Sequence, residues 1–160
     1  MFVTNNATPT ATAEIRGNAE YKSIRGTADL YDTYEGTIII VEIQGIPEEL
    51  EKKYGGFYGF HIHEGASCTG TAKAPFSDAG THYNPKSVRH PYHAGDLPPL
   101  LSSNGTSWAA IYTKRFYPED VIGITIIVHE KPDDFHTQPS GDAGEMIACG
   151  KIVAWDRELR

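Results

Sequence analysis

Short runs of alternating apolar and polar residues, separated by turn-forming residues, constrain the fold of this chain more than any other feature. The runs are rich in β-branched and aromatic residues and cover positions 13–16, 24–31, 37–46, 57–64, 108–112, 122–130 and 146–155. Period-two alternation of this kind predicts β-strands. One more strand is expected near 96–102, and the only helical segment is expected at 47–54. The pattern predicts an all-β fold, an eight-stranded Greek-key β-barrel or immunoglobulin-like sandwich.

The length of 160 residues fits one domain. We expect a flexible N-terminal arm at 1–12, where Thr, Asn and Ala predominate, and one folded domain at 13–160. No apolar run approaches the roughly 20 residues of a membrane helix, which excludes a membrane-spanning class. A formal charge of -7 argues against a nucleic-acid surface.

Two cysteines, Cys68 and Cys149, leave two alternatives open on composition alone. They could form one long-range disulfide or remain as two buried thiols.

The first residues lack the basic and apolar regions of a signal peptide. An extracytoplasmic location therefore follows only if a signal peptide has been removed, and a cytoplasmic one otherwise.

Two long segments, 65–95 and 130–145, interrupt the rhythm of strands. Loops of more than about 12–15 residues in a compact domain are usually functional or disordered, and these two are rich in His, Asp, Gly and Pro. We therefore expect two functional loops. His61 and His63 precede the first loop and stand two apart on a predicted strand, so their rings share one face.

The first long loop carries a chemically complete set of metal ligands. His82, His90, His93 and Asp96 offer three imidazoles and one carboxylate within fifteen positions. Such a set suits tetrahedral zinc, whose binding would also pin a loop that has little core of its own. A solvated His-rich loop is the alternative. His129 adds an imidazole at the end of a strand, with Asp133 and Asp134 close behind in the sequence.

Five motifs together resemble copper/zinc superoxide dismutases, and they follow one another in the order of that family. They are Gly-Phe-His-Ile-His-Glu at 59–64, Gly-Thr-His-Tyr-Asn-Pro at 80–85, His-Ala-Gly-Asp-Leu at 93–97, Val-His-Glu-Lys-Pro-Asp-Asp at 128–134, and the run 141–150 that ends in Ala-Cys-Gly. The resemblance extends from about residue 13 to residue 155. The loops are more similar to bacterial members than to eukaryotic ones.

The resemblance implies the eight-stranded Greek-key barrel and a site with two metals. It assigns copper to His61, His63, His82 and His129, zinc to His82, His90, His93 and Asp96, and a disulfide to Cys68 and Cys149. Asp133 would link a copper histidine to a zinc histidine, and His136 has no counterpart. The implied reaction converts superoxide anion to oxygen and hydrogen peroxide by redox cycling of copper, with the bridging His82 as proton carrier. The resemblance leaves open whether the protein forms a homodimer.

Met146 is the main departure from the family pattern. It occupies the position, three residues before the last cysteine, at which the family carries an arginine that docks the superoxide anion. Met146 either packs at the start of a strand or brings its thioether to copper. Glu145 adds negative charge there, and Lys131 could steer the anion only as a flexible point charge. We therefore expect a weakened dismutase.

Two other functions remain as alternatives at this stage. The chain could be a copper- and zinc-binding homologue without significant catalysis, or a structural β-barrel with incidental metal affinity. The complete set of ligands argues against the structural module, because six histidines and Asp96 would need another reason to be present. Turnover of superoxide separates the enzyme from the metal-binding homologue.

Overall fold

A computed structural model describes residues 8–156 and contains, in that range, nine β-strands and one α-helix. The strands are β1 (Ala11–Gly17), β2 (Arg25–Thr33), β3 (Gly36–Gln44), β4 (Phe57–Tyr58), β5 (Phe60–His63), β6 (Leu100–Ser103), β7 (Thr106–Thr113), β8 (Thr125–His129) and β9 (Met146–Ala154). The helix α1 spans Glu48–Tyr54, and 3-10 turns lie at Ser77–Ala79 and Pro118–Val121. The predicted helix at 47–54 is thus confirmed.

The strands form one antiparallel sheet in the order β4-β6-β7-β3-β2-β1-β9-β8-β5. Strands β4 and β5 lie at opposite ends of this order, yet only Gly59 separates them in the chain. The same stretch of chain therefore closes the sheet into a barrel, because one half pairs with β6 and the other with β8. The all-β barrel of the prediction is confirmed.

The count of nine strands rather than eight comes from a break in the predicted strand 57–64. At Gly59 the chain passes from one ladder to the other and also contacts the second long loop: its carbonyl accepts from the His129 N–H at 2.8 Å, and its N–H donates to the Lys131 carbonyl at 2.9 Å. A Cβ at this position would lie 2.8 Å from the Cβ of Ala143, so the close approach of the loop requires glycine here.

Apolar side chains fill the barrel, as alternation along the strands predicts. On β1 the side chains of Ala11, Ala13 and Ile15 are buried while their neighbours are not. Strand β8 differs, since all five of its residues are buried. Its Ile127 faces away from the main core, into a second cluster with Phe76, Ala79 and Cys149. The first long loop therefore covers the outer face of β8 and adds apolar burial there.

A disulfide between Cys68 and Cys149 ties the first long loop to β9, with Cα atoms 5.7 Å apart. This confirms the pairing that the resemblance implied. Of the predicted N-terminal arm, residues 1–7 lie outside the described residues, and β1 begins at Ala11. The division into an arm at 1–12 and a domain at 13–160 stays a prediction. None of the helices within residues 8–156 is long and apolar enough to cross a membrane.

Candidate metal centre

Buried histidines from separate parts of the chain meet beside the closing strand of the barrel. Alternation on β5 points His61 and His63 to the same side, and β8 delivers His129 at its end. The first long loop returns to β5 through two isolated bridges, which pair His61 with Asp96 and His63 with His82. Each of these residues lies in the interior, although imidazole and carboxylate groups are costly to bury without partners.

The side chains form two clusters that share His82. The four-histidine cluster contains His61, His63, His82 and His129, and the mixed cluster contains His82, His90, His93 and Asp96. In each cluster, one potential ligand atom from every residue lies within 4.8 Å of the others. The structure thus brings together all of the predicted ligand residues.

In the four-histidine cluster, hydrogen bonds from the outside decide which ring nitrogen faces inward. His63 Nδ1 lies 2.9 Å from the Gly80 carbonyl, and His129 Nδ1 lies 3.1 Å from the Gly144 carbonyl. Because a carbonyl only accepts, each Nδ1 carries the proton and each Nε2 presents a lone pair. These two Nε2 atoms lie 3.2 Å apart. Two lone pairs at this distance repel each other unless a cation lies between them.

Two further nitrogens of the four-histidine cluster are buried without a hydrogen-bond partner, namely His61 Nδ1 and His82 Nε2. Unsatisfied buried polar atoms are uncommon in folded proteins and call for an explanation. A metal ion that all four inward-facing nitrogens bind supplies one. The donor set of four imidazoles is one that copper accepts, so the residues present fit a copper ion.

The mixed cluster arranges three ring nitrogens around the Asp96 carboxylate. Asp96 Oδ1 lies 2.7 Å from His82 Nδ1 and 3.2 Å from His93 Nδ1. His90 Nδ1 lies 3.1 Å from Asp96 Oδ2 but has no hydrogen bond. Three nitrogens and one oxygen match the tetrahedral donor set of structural zinc.

Asp133 connects the two clusters through hydrogen bonds to one histidine of each. Its carboxylate accepts hydrogen bonds from His61 Nε2 at 2.7 Å and from His90 Nε2 at 3.0 Å. These bonds turn the Nδ1 atom of each ring inward, as a carboxylate behind a metal-binding histidine commonly does. The backbone N–H of Phe135 also donates to this carboxylate, at 2.6 Å.

The local environment keeps these groups in the protonation states that bind metals. Burial lowers the pKa of His61 to about 4 and that of His129 to about 3, and it lowers the pKa of His63 well below its ordinary value. Burial alone would raise the pKa of Asp96, but the hydrogen bond from His82 and the charges of the nearby histidines lower it to about 2. Asp133 also has a lowered pKa, because its hydrogen bonds outweigh the effect of burial. Neutral imidazoles and ionised carboxylates are the forms that bind metal ions.

Two residues that sequence reasoning missed hold the segment with the mixed cluster. Gln138, in the second long loop, accepts a hydrogen bond from the His90 N–H at 3.1 Å and donates to the His90 carbonyl at 2.8 Å. Arg115 donates to the carbonyls of Pro91 and His93, each at 2.9 Å. Both bind backbone atoms, so neither has a spacing in the sequence that marks it.

A cleft of about 440 Å³ leads to the four-histidine cluster and is lined by His63, Glu64, Gly80, Thr81, His82, Asn84, His93, His129, Pro139, Ser140, Gly144, Glu145 and Met146. Met146 is half-buried and also packs against the second apolar cluster, which contains Cys149. Lys131 is not among the lining residues, and its Nζ pairs with Asp142 at 2.9 Å. His136 is largely exposed, outside both clusters.

Comparisons with known proteins agree with this geometry. Residues 24–152 match the family model described as copper/zinc superoxide dismutase (SODC). The chain is 30% identical over 143 residues to superoxide dismutase [Cu-Zn] 2 of Aquifex aeolicus, covering 79% of this chain and 78% of that protein. It is 32% identical over 142 residues to superoxide dismutase [Cu-Zn] of Neisseria meningitidis, covering 79% and 73%.

A solved structure described as Cu/Zn superoxide dismutase from Brucella abortus matches with a TM-score of 0.74 and 24% identity, over 88% of this chain and 98% of that one. At this identity the likeness supports the fold. The family model and the curated relatives also show the family, whose cofactors are copper and zinc. The chain belongs to the copper/zinc superoxide dismutase family.

Proposed function

We propose that this protein is a superoxide dismutase that converts superoxide to oxygen and hydrogen peroxide more slowly than members with the active-site arginine. In this proposal His61, His63, His82 and His129 hold copper, and His82, His90, His93 and Asp96 hold zinc. The observation that carries the proposal is a pair of buried clusters that share His82 and contribute side chains to the lining of the same cleft.

Bound copper would supply the two oxidation states that dismutation requires, whereas zinc has no accessible redox chemistry. The protein must then deliver protons to the reduced product. His82 is suited to this task because its Nε2 faces the four-histidine cluster while its Nδ1 lies 2.7 Å from Asp96. Because His82 lines the cleft, a proton held at Nε2 would lie among the copper ligands at its inner end.

Asp133 serves as a positioning residue in this scheme. Its hydrogen bonds to His61 and His90 fix the orientation of one ring in each cluster. The geometry at one metal therefore depends on the geometry at the other. This explains how zinc would stabilise the copper site without taking part in electron transfer.

Weak capture of the anion follows from the residues that line the cleft. Met146 lies where the family resemblance places the docking arginine, and no Lys or Arg lines this cleft among residues 8–156. Lys131 is a poor substitute because the carboxylate of Asp142 neutralises it. An anion that reaches the cleft meets no cationic side chain that could hold it in a bidentate manner.

The test is the rate of superoxide dismutation by protein loaded with copper and zinc, with both metals measured in the same sample. We expect copper-dependent turnover in the wild type, a several-fold faster rate in Met146→Arg, and a gain that shrinks as ionic strength rises. A wild-type rate equal to that of arginine-bearing members would show that the loss of the arginine has no kinetic effect.

Met146→Leu is the matched control, because it preserves volume and removes the sulfur. An unchanged copper absorption spectrum in this variant indicates that Met146 only packs in the cleft wall. A changed spectrum indicates that its thioether contacts the metal.

A metal-binding homologue without catalysis is the second candidate, and the uncompensated carboxylates at the cleft favour it. Glu64 and Glu145 line the same cleft as the four-histidine cluster. Absence of turnover in protein with both metals bound would establish this second function.

A further inference from the structure

Two carboxylates stand at the mouth of the cleft. Glu64 directly follows β5, and Glu145 directly precedes β9; both are exposed and both line the cleft. Glu64 is held in place, since its Oε1 accepts a hydrogen bond from the Thr81 hydroxyl at 3.0 Å. The backbone at Glu145 is also held, because its carbonyl accepts from the Glu130 N–H at 2.9 Å. The Glu64 carboxylate and the backbone that carries the Glu145 side chain are therefore held at the entrance.

No cationic side chain offsets these charges among the described residues that line the cleft. The histidines at its floor, His63 and His129, are buried and hold their protons on the nitrogens that face carbonyls. Lys131 lies outside the lining and pairs with Asp142. The side chains of the cleft thus carry negative charge at the entrance and are neutral farther in.

Bound metals would also contribute charge at the base of the cleft. Two divalent cations at the floor would be largely compensated by the carboxylates of Asp96 and Asp133 and by a His82 ring that has lost its proton. A small positive charge would remain at the floor. An approaching anion would meet the charges of Glu64 and Glu145 before that of the metals, because both glutamates are exposed and the ligand histidines are buried.

We propose that Glu64 and Glu145 are specificity-determining residues that hold small anions back from the metal centre and admit neutral molecules and cations. This inference rests on the proposed function, because it assumes a copper ion at the base of the cleft. The proposal also predicts the direction in which ionic strength changes the affinity for anions. Screening weakens repulsion as well as attraction, so added salt should help an anion to reach the metal.

The experiment compares an anionic probe with a neutral one on protein loaded with copper and zinc. Azide and imidazole are titrated at about pH 8, where azide is charged and imidazole is mostly neutral, and binding is followed by the visible absorption of copper. The variants are Glu64→Gln, Glu145→Gln and the double variant. Glu49→Gln is the control, since it removes one exposed carboxylate from α1, outside the cleft.

At low ionic strength we expect azide to bind about twofold more tightly to each single variant and about fourfold more tightly to the double variant. Imidazole affinity should stay the same in all of them, and Glu49→Gln should leave azide affinity unchanged. In the wild type, raising the ionic strength about tenfold with sodium perchlorate should tighten azide binding. In the double variant this tightening should disappear.

The opposite result is unambiguous. Azide affinity that falls with ionic strength in the wild type, or that stays the same in the double variant, would overturn the role of the two glutamates while leaving the dismutase proposal intact. The wild-type salt titration requires no substitution, so a poorly folded variant does not prevent the test. Failure of the proposed function is seen separately, as a protein that binds no copper or shows no copper-dependent turnover.

Discussion

Asp133 couples the two clusters, and Gly141 makes its position possible. The carboxylate of Asp133 lies between His61 and His90, with Gly141 packed directly against it. A Cβ on Gly141 would lie 2.0 Å from Asp133 Oδ1 and 2.7 Å from His90 Nε2. Gly141 also has a φ of +71°, a conformation that side chains disfavour. Space and backbone conformation both require glycine at this position.

We expect Gly141→Ala to weaken zinc binding about tenfold, because Asp133 must move and release His90. A competition titration with a chelator measures the affinity. Gly55→Ala is the matched control: Gly55 has a φ of +72°, but nothing lies within 4 Å of the added Cβ. The left-handed backbone conformation should cost each variant about 1 kcal/mol of folding stability, and the clash with Asp133 adds to that cost only at Gly141. Equal zinc affinity in the two variants would show that the Asp133 bridge does not orient His90.

At the scale of elements, the two long loops support each other at His90. The first loop supplies His90, and the second supplies Gln138, whose amide pairs with both backbone polar groups of that residue. A third segment contributes Arg115, which binds carbonyls on either side of Tyr92. The mixed cluster is thus held by two backbone clamps, the hydrogen bonds that Gln138 and Arg115 form to the backbone of the His90 segment, in addition to the interactions of its own side chains.

Gln138→Ala removes one of these clamps without touching a ligand side chain. We expect zinc to dissociate several-fold faster, because the His90 segment gains freedom when both hydrogen bonds are lost. Stopped-flow mixing with a chelator measures the rate. Gln44→Ala, on the exposed end of β3, is the control and should leave the rate unchanged. A rate in Gln138→Ala that matches this control would assign the order of the segment to the disulfide and to Arg115.

The disulfide restrains the same loop from its other end. Cys68 and Cys149 are 81 positions apart, and the chain-entropy model assigns a crosslink of this span on the order of 4 kcal/mol. We expect the metal-free Cys68→Ser/Cys149→Ser variant to be less stable by up to about that amount in urea unfolding. The second apolar cluster, with Phe76 and Ile127, should loosen at the same time. A loss below about 1 kcal/mol would mean that this cluster holds the loop without the crosslink.

Sequence reasoning anticipated those features of the fold that follow from local patterns. Alternation placed the strands, and the order of the motifs identified the family. The break at Gly59 was missed because it depends on a contact with Ala143. The pairing of Lys131 with Asp142 was also missed, since it depends on how the second long loop folds back. Contacts between side chains and a distant backbone, such as that of Gln138, leave no periodic signal in the sequence.

At the scale of the whole molecule, several histidines are buried in the neutral form. Because their pKa values are lowered by folding, the folding stability of the barrel depends on pH. Burial lowers the pKa of His61 to about 4, that of His129 to about 3, and that of His63 well below its ordinary value. In the unfolded chain these rings have a pKa of about 6.5. Between about pH 6.5 and pH 4 the unfolded chain therefore binds protons that the folded chain does not.

We expect the metal-free protein to lose stability as the pH falls from about 6.5, by about 1.4 kcal/mol per pH unit for each histidine that is protonated only on unfolding. Asp96 and Asp133 act in the same direction at lower pH, because their lowered pKa values stabilise the folded state above the ordinary carboxyl range and this contribution is lost below it. Urea unfolding at several pH values from 8 to 5 measures the effect, and the curve should be flat above pH 7. His136→Gln is the control, since His136 is exposed and lies outside both clusters. A stability that stays constant between pH 6.5 and pH 5 would mean that the buried rings take up protons in the folded state, with the clusters opening to admit water before the barrel unfolds.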